Sequence, residues 1–500
     1  MRIHYIALAL AALSGSIATA PALLAQQPVP AAPAPGNVLT LADAITLARR
    51  NNPTLQTAST ARRTASAALR AANGAFLPNV NTSFTSGFRE GRQTFFQGQS
   101  FGAANDQLST DIGASAQMNL SLATLNDRRA ARANQDATEA DIAGSEQQVR
   151  TNVTTQYLTA LQAQARAVLQ DTLVTTTEAQ LQLARARFAV GSATQLDVQR
   201  AEVADGQQRV AALNARNQAA IEVVRLFQQV GLPAVPDAKL DSNLPAVPVV
   251  DLNTIVSQAR ESNPQLEALR FREQSAARSV ASARSSYYPS LSLSANVSAF
   301  TNRVTDIGQL ITSGEQSTLN QRASCIRSEE VRAQLGLPNQ LSQCEAFTWT
   351  PQQEARIRDG QAKYPFDFTR NPYSLSVGLS LPVFNGFRRE QQVEQANVQR
   401  RNAQIELRAQ ELRINADIAA ASLSLNTARQ TVTMQEQNVR AARTALELAQ
   451  ERYRVGSASL VELVQARSEY ERAETDRITA VYDVQRAFTA LEAAVGRPLR

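Results

Sequence analysis

The chain is short of the side chains on which most enzyme chemistry rests. Its 500 residues include one histidine, one tryptophan, two cysteines and three methionines. The histidine is His4, in the leader-like N-terminus, so no Ser/His/Asp set can be assembled and histidine cannot serve as a metal ligand. Glycine is sparse, at 20 residues, and no glycine-rich loop that could cradle a phosphate occurs. The acidic residues are scattered along predicted helix faces, so neither an enzyme nor a cofactor is indicated. Lysine is confined to Lys239 and Lys363, so the net charge of +6 is carried almost wholly by arginine. No basic cluster is interleaved with aromatics, so a nucleic-acid partner is not indicated. The apolar run Tyr5–Leu13 is too short to cross a bilayer as a helix.

What is abundant is alanine, which suits long helices. At the N-terminus, Arg2 and His4 precede the apolar run and small residues follow it, the order of a secretory signal. Cleavage could follow Ala20 or Ala25. Pro21 would sit directly after the first site, so residues 1–25 are read as the signal. A frayed N-terminal helix is the plain alternative. Residues 26–38 form a Pro/Ala-rich lead-in. The first cysteine is Cys325, so none is available near the cleavage site to carry a lipid.

The chain also says much of itself twice. Asn52-Pro53-Thr54-Leu55 recurs as Asn263-Pro264-Gln265-Leu266, and Pro78 recurs as Pro289, both at an offset of 211 residues. Arg187-Phe188-Ala189-Val190-Gly191-Ser192-Ala193 recurs as Arg452-Tyr453-Arg454-Val455-Gly456-Ser457-Ala458, and Val230-Gly231-Leu232-Pro233 as Val495-Gly496-Arg497-Pro498, both at 265. Units this long are not solenoid repeats of ~20–50 residues. They read as two architectural halves, 39–231 and 251–500, joined by a Pro-rich linker at 232–250.

Four segments alternate apolar and polar residues, at about 79–88, 111–122, 290–299 and 373–382. Val80, Thr82, Phe84 and Phe88 share one face of the first. Ile112, Ala114, Ala116, Met118, Leu120 and Leu122 share one face of the second. Leu291, Leu293, Ala295 and Val297 do so in the third, and Tyr373, Leu375, Val377, Leu379 and Leu381 in the fourth. Period two with one apolar face defines a strand. The opposite faces carry Ser, Asn and Gly rather than Lys and Glu, as in a water-filled lumen, and the lengths approach the ~9–11 residues of a tilted membrane strand. Phe76, Tyr287, Tyr288 and Phe384 stand near strand ends, where an aromatic belt lies. Four strands in so long a chain cannot make a soluble sandwich. Nor can they close a bacterial barrel, whose smallest size is about eight strands. Copies must therefore pool their strands: a trimer gives twelve, although a dimer of eight also satisfies the count.

Between the strands the chain is helical. Asp127–Val190 and Phe387–Val455 contain no proline, and the first would span roughly 96 Å if continuous. Val149, Val153, Tyr157 and Leu161, and then Ile405, Ala409, Leu412 and Ala416, show the three- and four-residue steps of a helical seam. Gly191 and Gly456, followed by hydroxyl residues, signal a stop and a restart near 191–195 and 456–460. Return helices follow at Gln195–Gln229 and Leu460–Ala494. Shorter helices at Leu41–Ala72 and Leu252–Ser285 open each half, broken or kinked near Asn52-Pro53 and Asn263-Pro264.

This duplicated order of helix, strand pair, long helix, turn and return helix resembles the TolC-type outer-membrane efflux proteins over essentially the whole mature chain. The turn signatures Arg187-Phe188-x-x-Gly191-x-x-x-x-x-Asp197-Val198 and Arg452-Tyr453-x-x-Gly456-x-x-x-x-x-Glu462-Leu463 look like that family's periplasmic hairpins. Val383-Phe384-Asn385-Gly386 resembles its strand-exit motif. The resemblance implies an α+β membrane protein: a homotrimer whose 12-stranded outer-membrane barrel continues into a long α-helical periplasmic tunnel. It implies the channel of a tripartite efflux or type I secretion system. The partners it implies are a periplasmic adaptor and an inner-membrane pump of the RND or ABC type, with outer-membrane lipid around the barrel. Arg187, Gly191, Ser192, Arg452, Gly456 and Ser457 would then form adaptor-contacting tips. Glu462 matches an acidic position at the tunnel's narrow end, Asp197 is its repeat partner, and Tyr453 matches a latching aromatic. The family's second acidic position is Gln465 here, with Arg200 as its repeat equivalent, and its latching arginine aligns with Ala458. A carboxylate at Asp197 or Glu462 also suits a helix's first turn without any gating role. A periplasmic coiled-coil adaptor would share the hairpins but not the strands, and a passive porin would carry eight or more strands per chain.

The repeat offset grows from 211 at Pro289 to 259 at Leu379, so the loop between the third and fourth strands holds 48 extra residues. This insert, 301–371, lies outside the cell if the helices are periplasmic. It holds Cys325, Cys344 and Trp349. A cysteine pair in an exported loop is most simply a disulfide, with free thiols or metal ligation the alternatives. The further growth from 259 to 265 puts six more residues between the fourth strand and the second turn. They are a local insertion or a stutter in the helical seam.

Overall fold

The computed structural model describes residues 38–91, 94–96, 99–101, 106–236, 238–248, 251–338 and 340–499. The predicted signal, 1–25, and all of the lead-in except Val38 lie outside the described residues. The first half comprises α1 (Leu41–Asn51), α2 (Pro53–Gly74), β1 (Asn79–Arg89), a short hairpin of β2 (Thr94–Phe96) and β3 (Gln99–Phe101), β4 (Gln107–Leu120), α3 (Leu122–Ala189) and α4 (Gln195–Val230). The second comprises α5 (Leu252–Ser262), α6 (Pro264–Ser285), β5 (Ser290–Val304), α7 (Ile307–Gln334), α8 (Leu341–Glu345), α9 (Pro351–Ala362), β6 (Thr369–Arg370), β7 (Ser374–Ser380), α10 (Arg388–Arg454) and α11 (Leu460–Val495).

Contacts divide the chain into two units. One holds the residues up to Thr64 with Asp136–Phe271 and Ile405–Arg500, and the other holds Ala65–Gln135 with Arg272–Gln404. The first unit is helical, and the repeated Asn-Pro motif explains how its short helices are fixed. Each asparagine precedes a proline and is extended, with ψ of 121° at Asn52 and 119° at Asn263, so the helix breaks there. Its carboxamide oxygen then caps the next helix, accepting from the Thr54 and Leu55 amides at 2.9 and 3.3 Å. Asn263 does the same for Gln265 and Leu266. The amide end of each side chain reaches across the unit. Asn52 Nδ2 donates to the Gln229 carbonyl at 2.6 Å, and Asn263 Nδ2 to those of Ala494 and Val495, both at 3.2 Å. A buried side chain thus ties the opening of each half to the end of its return helix. Gly231 and Gly496 terminate those helices with φ of 83° and 86°.

Two apolar cores draw on corresponding positions. In one, Ala48 and Leu55 meet Val153, Tyr157, Val223, Leu226, Phe227 and Val230. In the other, Ala259 and Leu266 meet Ile414, Ile418, Phe488, Leu491 and Val495. Tyr157 is fully buried, and its hydroxyl donates to the carbonyls of Leu39 (2.8 Å) and Asp241 (2.9 Å). Burial pushes that phenol up to about 12. The linker is packed rather than loose. Leu240 bridges to Leu39 in parallel, Gln485 donates to the Pro245 carbonyl, and Arg429 to that of Pro248 at 2.7 Å.

The second unit is built on a five-stranded antiparallel sheet in the order β1-β4-β5, with β7 and the two-residue β6 both pairing with β5. The register sets Val80 opposite Ala116, Ala116 opposite Ala295 and Ala295 opposite Leu375, so the apolar residues align on one face. Ser294 and Ser376 hydrogen-bond on the other face. Phe84, Leu375, Val377 and Leu379 are largely exposed in the single chain.

Strand limits differ from the sequence reading in three places. The second strand starts earlier, at Gln107, and stops at Leu120 rather than 122, because Ser121 Oγ accepts from the Thr124 amide and starts α3 at Leu122. The third continues past 299 to Val304, because its pairing with β4 extends to Gln107. The fourth covers only 374–380, Pro382 having no N–H to offer a ladder, so Tyr373 and Leu381 lie just outside it.

The insert 301–371 is mostly helical, formed by α7, α8 and α9. The disulfide Cys325–Cys344 joins α7 to α8 across 5.6 Å between Cα atoms. Trp349 lies over Gly314, where a Cβ would come within 2.6 Å of its ring. Val304 N donates to Gln361 Oε1 at 2.7 Å, and Tyr364 and Thr110 share a 2.8 Å hydroxyl contact, fastening the insert to the sheet.

Candidate functional site at the hairpin turns

The two helix turns close alike. Gly191 (φ 75°) and Gly456 (φ 82°) are left-handed, and the serine after each donates its amide to the carbonyl five residues back. These bonds, Ser192 to Arg187 and Ser457 to Arg452, are both 2.8 Å and form the Schellman pattern that glycine permits. The serine hydroxyls donate to the same carbonyls at 3.1 and 3.2 Å.

Beyond this shared frame the turns diverge. Thr194 caps α4, and Asp197 Oδ2 accepts from the Thr194 amide at 2.9 Å, completing a capping box. The bond from the Thr194 backbone, with the Thr194 hydroxyl second, holds the Asp197 carboxyl below the usual carboxylate range. Ser459 caps α11, but Glu462 does not reciprocate. Its Oε1 meets Arg452 Nη1 at 2.5 Å instead. One predicted acidic residue is thus engaged in a cap and half-buried, and the other is in an ion pair and exposed.

Tyr453 has the most distinctive setting. It is 4% exposed, in a cluster with Leu181, Ala184, Leu446, Ala449, Leu460 and Leu463, while its counterpart Phe188 is 44% exposed. Arg187 reaches it from the first hairpin. The guanidinium lies 4.9 Å from the ring centroid, Nη1 donates to the Tyr453 carbonyl at 2.7 Å, and Nη2 donates to Ser192 O at 3.3 Å. The Tyr453 hydroxyl is buried without a geometrically sound hydrogen bond, since Arg187 covers the ring face rather than the oxygen. Burial raises its pKa. A Cβ at Gly456 would sit 3.3 Å from Arg187 Nη2, so glycine also leaves room for the strap.

The arrangement therefore joins Arg187, Ser192, Tyr453 and Gly456 across the hairpins, and separately joins Arg452 to Glu462. Sequence reading placed Arg187 among the tip residues but did not foresee its partner, 266 residues away. Its only signal was the coexistence of an arginine before each turn with an aromatic that is tyrosine in one copy alone. Among the described residues no cluster of acids, cysteines or histidines could hold a metal ion.

An open sheet with one mainly apolar face, carried in a chain of long paired helical hairpins, defines a protein of the outer-membrane channel class. The family described as outer membrane efflux protein matches this chain twice, at residues 44–232 and 255–497. The chain belongs to that family. It is an outer-membrane efflux channel rather than an enzyme. It is 23% identical over 490 residues to the outer membrane efflux protein BepC of Brucella suis, covering 97% of this chain and 88% of that one. Its fold is similar to that of the outer-membrane channel OprN, with a TM-score of 0.67 and 16% identity over 92% of this chain and 90% of the other. VceC of Vibrio cholerae is similar to the same degree, with a TM-score of 0.67, 16% identity and coverage of 92% and 97%.

Proposed function

We propose that this chain is the outer-membrane duct of a tripartite efflux or type I secretion system, working as a homotrimer with twelve pooled strands. The observation that carries this reading is the sheet itself. Among the described residues β1 pairs only with β4, and β7 only with β5, so each has one side without a ladder partner. In lipid such an edge leaves backbone groups unsatisfied, at several kcal/mol each by order of magnitude. Closure with copies of the chain removes both edges at once. The exposed apolar face then meets lipid and the Ser/Asn/Gly face lines the lumen.

In this reading the helical hairpins are periplasmic. Arg187, Gly191, Ser192, Arg452, Gly456 and Ser457 meet a periplasmic adaptor, and an RND or ABC-type inner-membrane pump supplies the energy. The Arg187–Tyr453 strap holds neighbouring hairpin turns together in the closed state. Three copies each of Asp197 and Glu462 focus a negative potential at the aperture and favour cations. Arg452 offsets part of that field.

Planar-bilayer recordings test the ring. Asp197→Ala and Glu462→Ala should each lower the cation-to-anion permeability ratio, and Arg452→Ala should raise it. The share due to Asp197 follows its depressed pKa. It should persist as pH falls through the ordinary carboxylate range and disappear only when pH drops through the lowered folded value. Selectivity unmoved by all three substitutions would remove the ring from the account.

A further inference from the structure

The six extra residues of the second half have a definite place. In the first half a single residue, Ser121, connects β4 to α3. In the second half seven residues, Leu381–Phe387, connect β7 to α10. The two long helices are nearly equal, at 68 and 67 residues, so the growth is a local insertion and not a stutter in the seam. Its composition is unusual for a connection in water. Leu381-Pro382-Val383-Phe384-Asn385-Gly386-Phe387 is mainly apolar, and Val383, Phe384 and Phe387 are 86%, 72% and 70% exposed.

The loop is also held in a costly conformation. Gly386 (φ 67°) and Phe387 (φ 62°) are consecutive left-handed residues, and for a phenylalanine this backbone is rare. Arg389 holds it there. The arginine is 7% exposed, donates Nη1 to the Pro382 carbonyl at 2.6 Å and Nη2 to the Val383 carbonyl at 2.7 Å, and lies 4.7 Å over the Tyr287 ring. Phe384 and Phe387 stack edge to face at 5.6 Å. A buried clamp thus fixes exposed apolar side chains that touch little else. On the adjoining strand β7, Leu375, Val377 and Leu379 are exposed in the same way. Arg388, exposed beside them, carries the charge that a phosphate headgroup would meet.

We propose that Leu381–Phe387 is a lipid-seated tongue. It enters the headgroup and upper acyl region of the periplasmic phospholipid leaflet, and Arg389 is the positioning residue that holds it. The proposal rests on the membrane reading above, which supplies the lipid and the leaflet. Apolar side chains with a neighbouring cation match that boundary, where interfacial segments seat ~5–10 Å deep. A tongue in only one of the two strand-to-helix connections would anchor each subunit once, at the base of its last strand.

The chain's single tryptophan makes the test direct. Trp349→Phe gives a tryptophan-free background, into which Phe384→Trp and, separately, Val377→Trp are introduced. Each full-length protein is reconstituted into phosphatidylcholine–phosphatidylglycerol vesicles, with and without acyl chains brominated near the headgroup. The proposal expects both tryptophans to lose most of their emission in brominated lipid and to resist aqueous iodide. If Val377→Trp is quenched and Phe384→Trp is not, the tongue is overturned while the membrane reading stands. Iodide access would then indicate water at the loop, and silence to both quenchers a protein partner. If neither is quenched by lipid, the membrane reading fails and takes the tongue with it. Adding Arg389→Gln to the Phe384→Trp protein should reduce lipid quenching and admit iodide. Unchanged quenching there would overturn the role given to Arg389.

Discussion

Gly231→Ala is expected to destabilise the helical unit more than any other glycine-to-alanine change at a turn. Two costs combine at this position. The backbone is left-handed, φ 83°, which costs a residue with a Cβ ~1–2 kcal/mol. The new methyl would also stand 2.5 Å from the Asn51 carbonyl oxygen and 2.7 Å from its carbon, and these are backbone atoms that cannot swing aside. Moving them displaces Asn52, whose side chain caps α2 and holds the Gln229 carbonyl. Losing buried hydrogen bonds adds about 1–3 kcal/mol for each group left unsatisfied. A total of at least ~3 kcal/mol follows, enough to deplete folded protein. Gly191→Ala is the internal control, with φ 75° but no atom within 4 Å of a built Cβ, so it bears only the backbone term. Denaturant titration of helical circular dichroism in detergent, with the yield from outer-membrane fractions, measures the difference. Equal losses at Gly231 and Gly191 would show that the Asn-Pro clamp is not fixed as described.

Arg187→Ala should shift the closed state toward open by roughly thirtyfold per subunit, corresponding to about 2 kcal/mol. The guanidinium makes a charge-assisted bond to the Tyr453 carbonyl, of a kind that contributes ~1.5–3 kcal/mol. Its stacking on the ring contributes ~0.5–1 kcal/mol or more in this partly desolvated setting. Single-channel recording should show this as higher conductance or longer openings at low voltage. The structure separates the components. Tyr453→Phe keeps the ring and loses a hydroxyl that makes no sound hydrogen bond, so it should be nearly silent. Tyr453→Ala removes the stacking and empties part of the cluster with Leu446 and Leu463, but leaves the carbonyl acceptor in place. Arg187→Lys should fail to restore closure, since a point ammonium cannot bridge the carbonyls of Tyr453 and Ser192 while lying over the ring. A leaky Tyr453→Phe channel, or an Arg187→Ala channel as tight as the parent, would contradict the strap.

Local chemistry was legible in the sequence, and its pairing at a distance was not. Gly191 and Gly456 with their hydroxyl followers located both turns, and alternation located all four principal strands, because these signals depend on a few consecutive residues. The Asn-Pro steps were read as helix breaks, yet Asn52 and Gly231 were noticed as separate repeats and not as one clamp. Nothing in periodicity reports that residues 177 apart share a hydrogen bond. The same limit hid Arg187 on Tyr453, since the pattern describes each hairpin alone and does not say which hairpin lies beside it. The helices of the insert were missed because α7 has no buried residue and so presents no apolar period. Its cysteine pairing was foreseen because only two cysteines exist. The six-residue growth in offset was detected, but two offsets bracket an insertion without placing it. The end of β7 and the start of α10 supply its place.

The most direct test asks whether separate chains pair through their sheet edges. Single cysteines at Asn81, Ser83 or Thr85 on β1 would be combined with one at Ser374, Ser376 or Ser380 on β7, the native Cys325–Cys344 bond being left intact. After oxidation in isolated outer membranes, non-reducing electrophoresis should show a covalent ladder that ends at the trimer for at least one pair in register. Monomers in every combination, a ladder ending at the dimer, or one running on past the trimer would contradict the twelve-stranded duct.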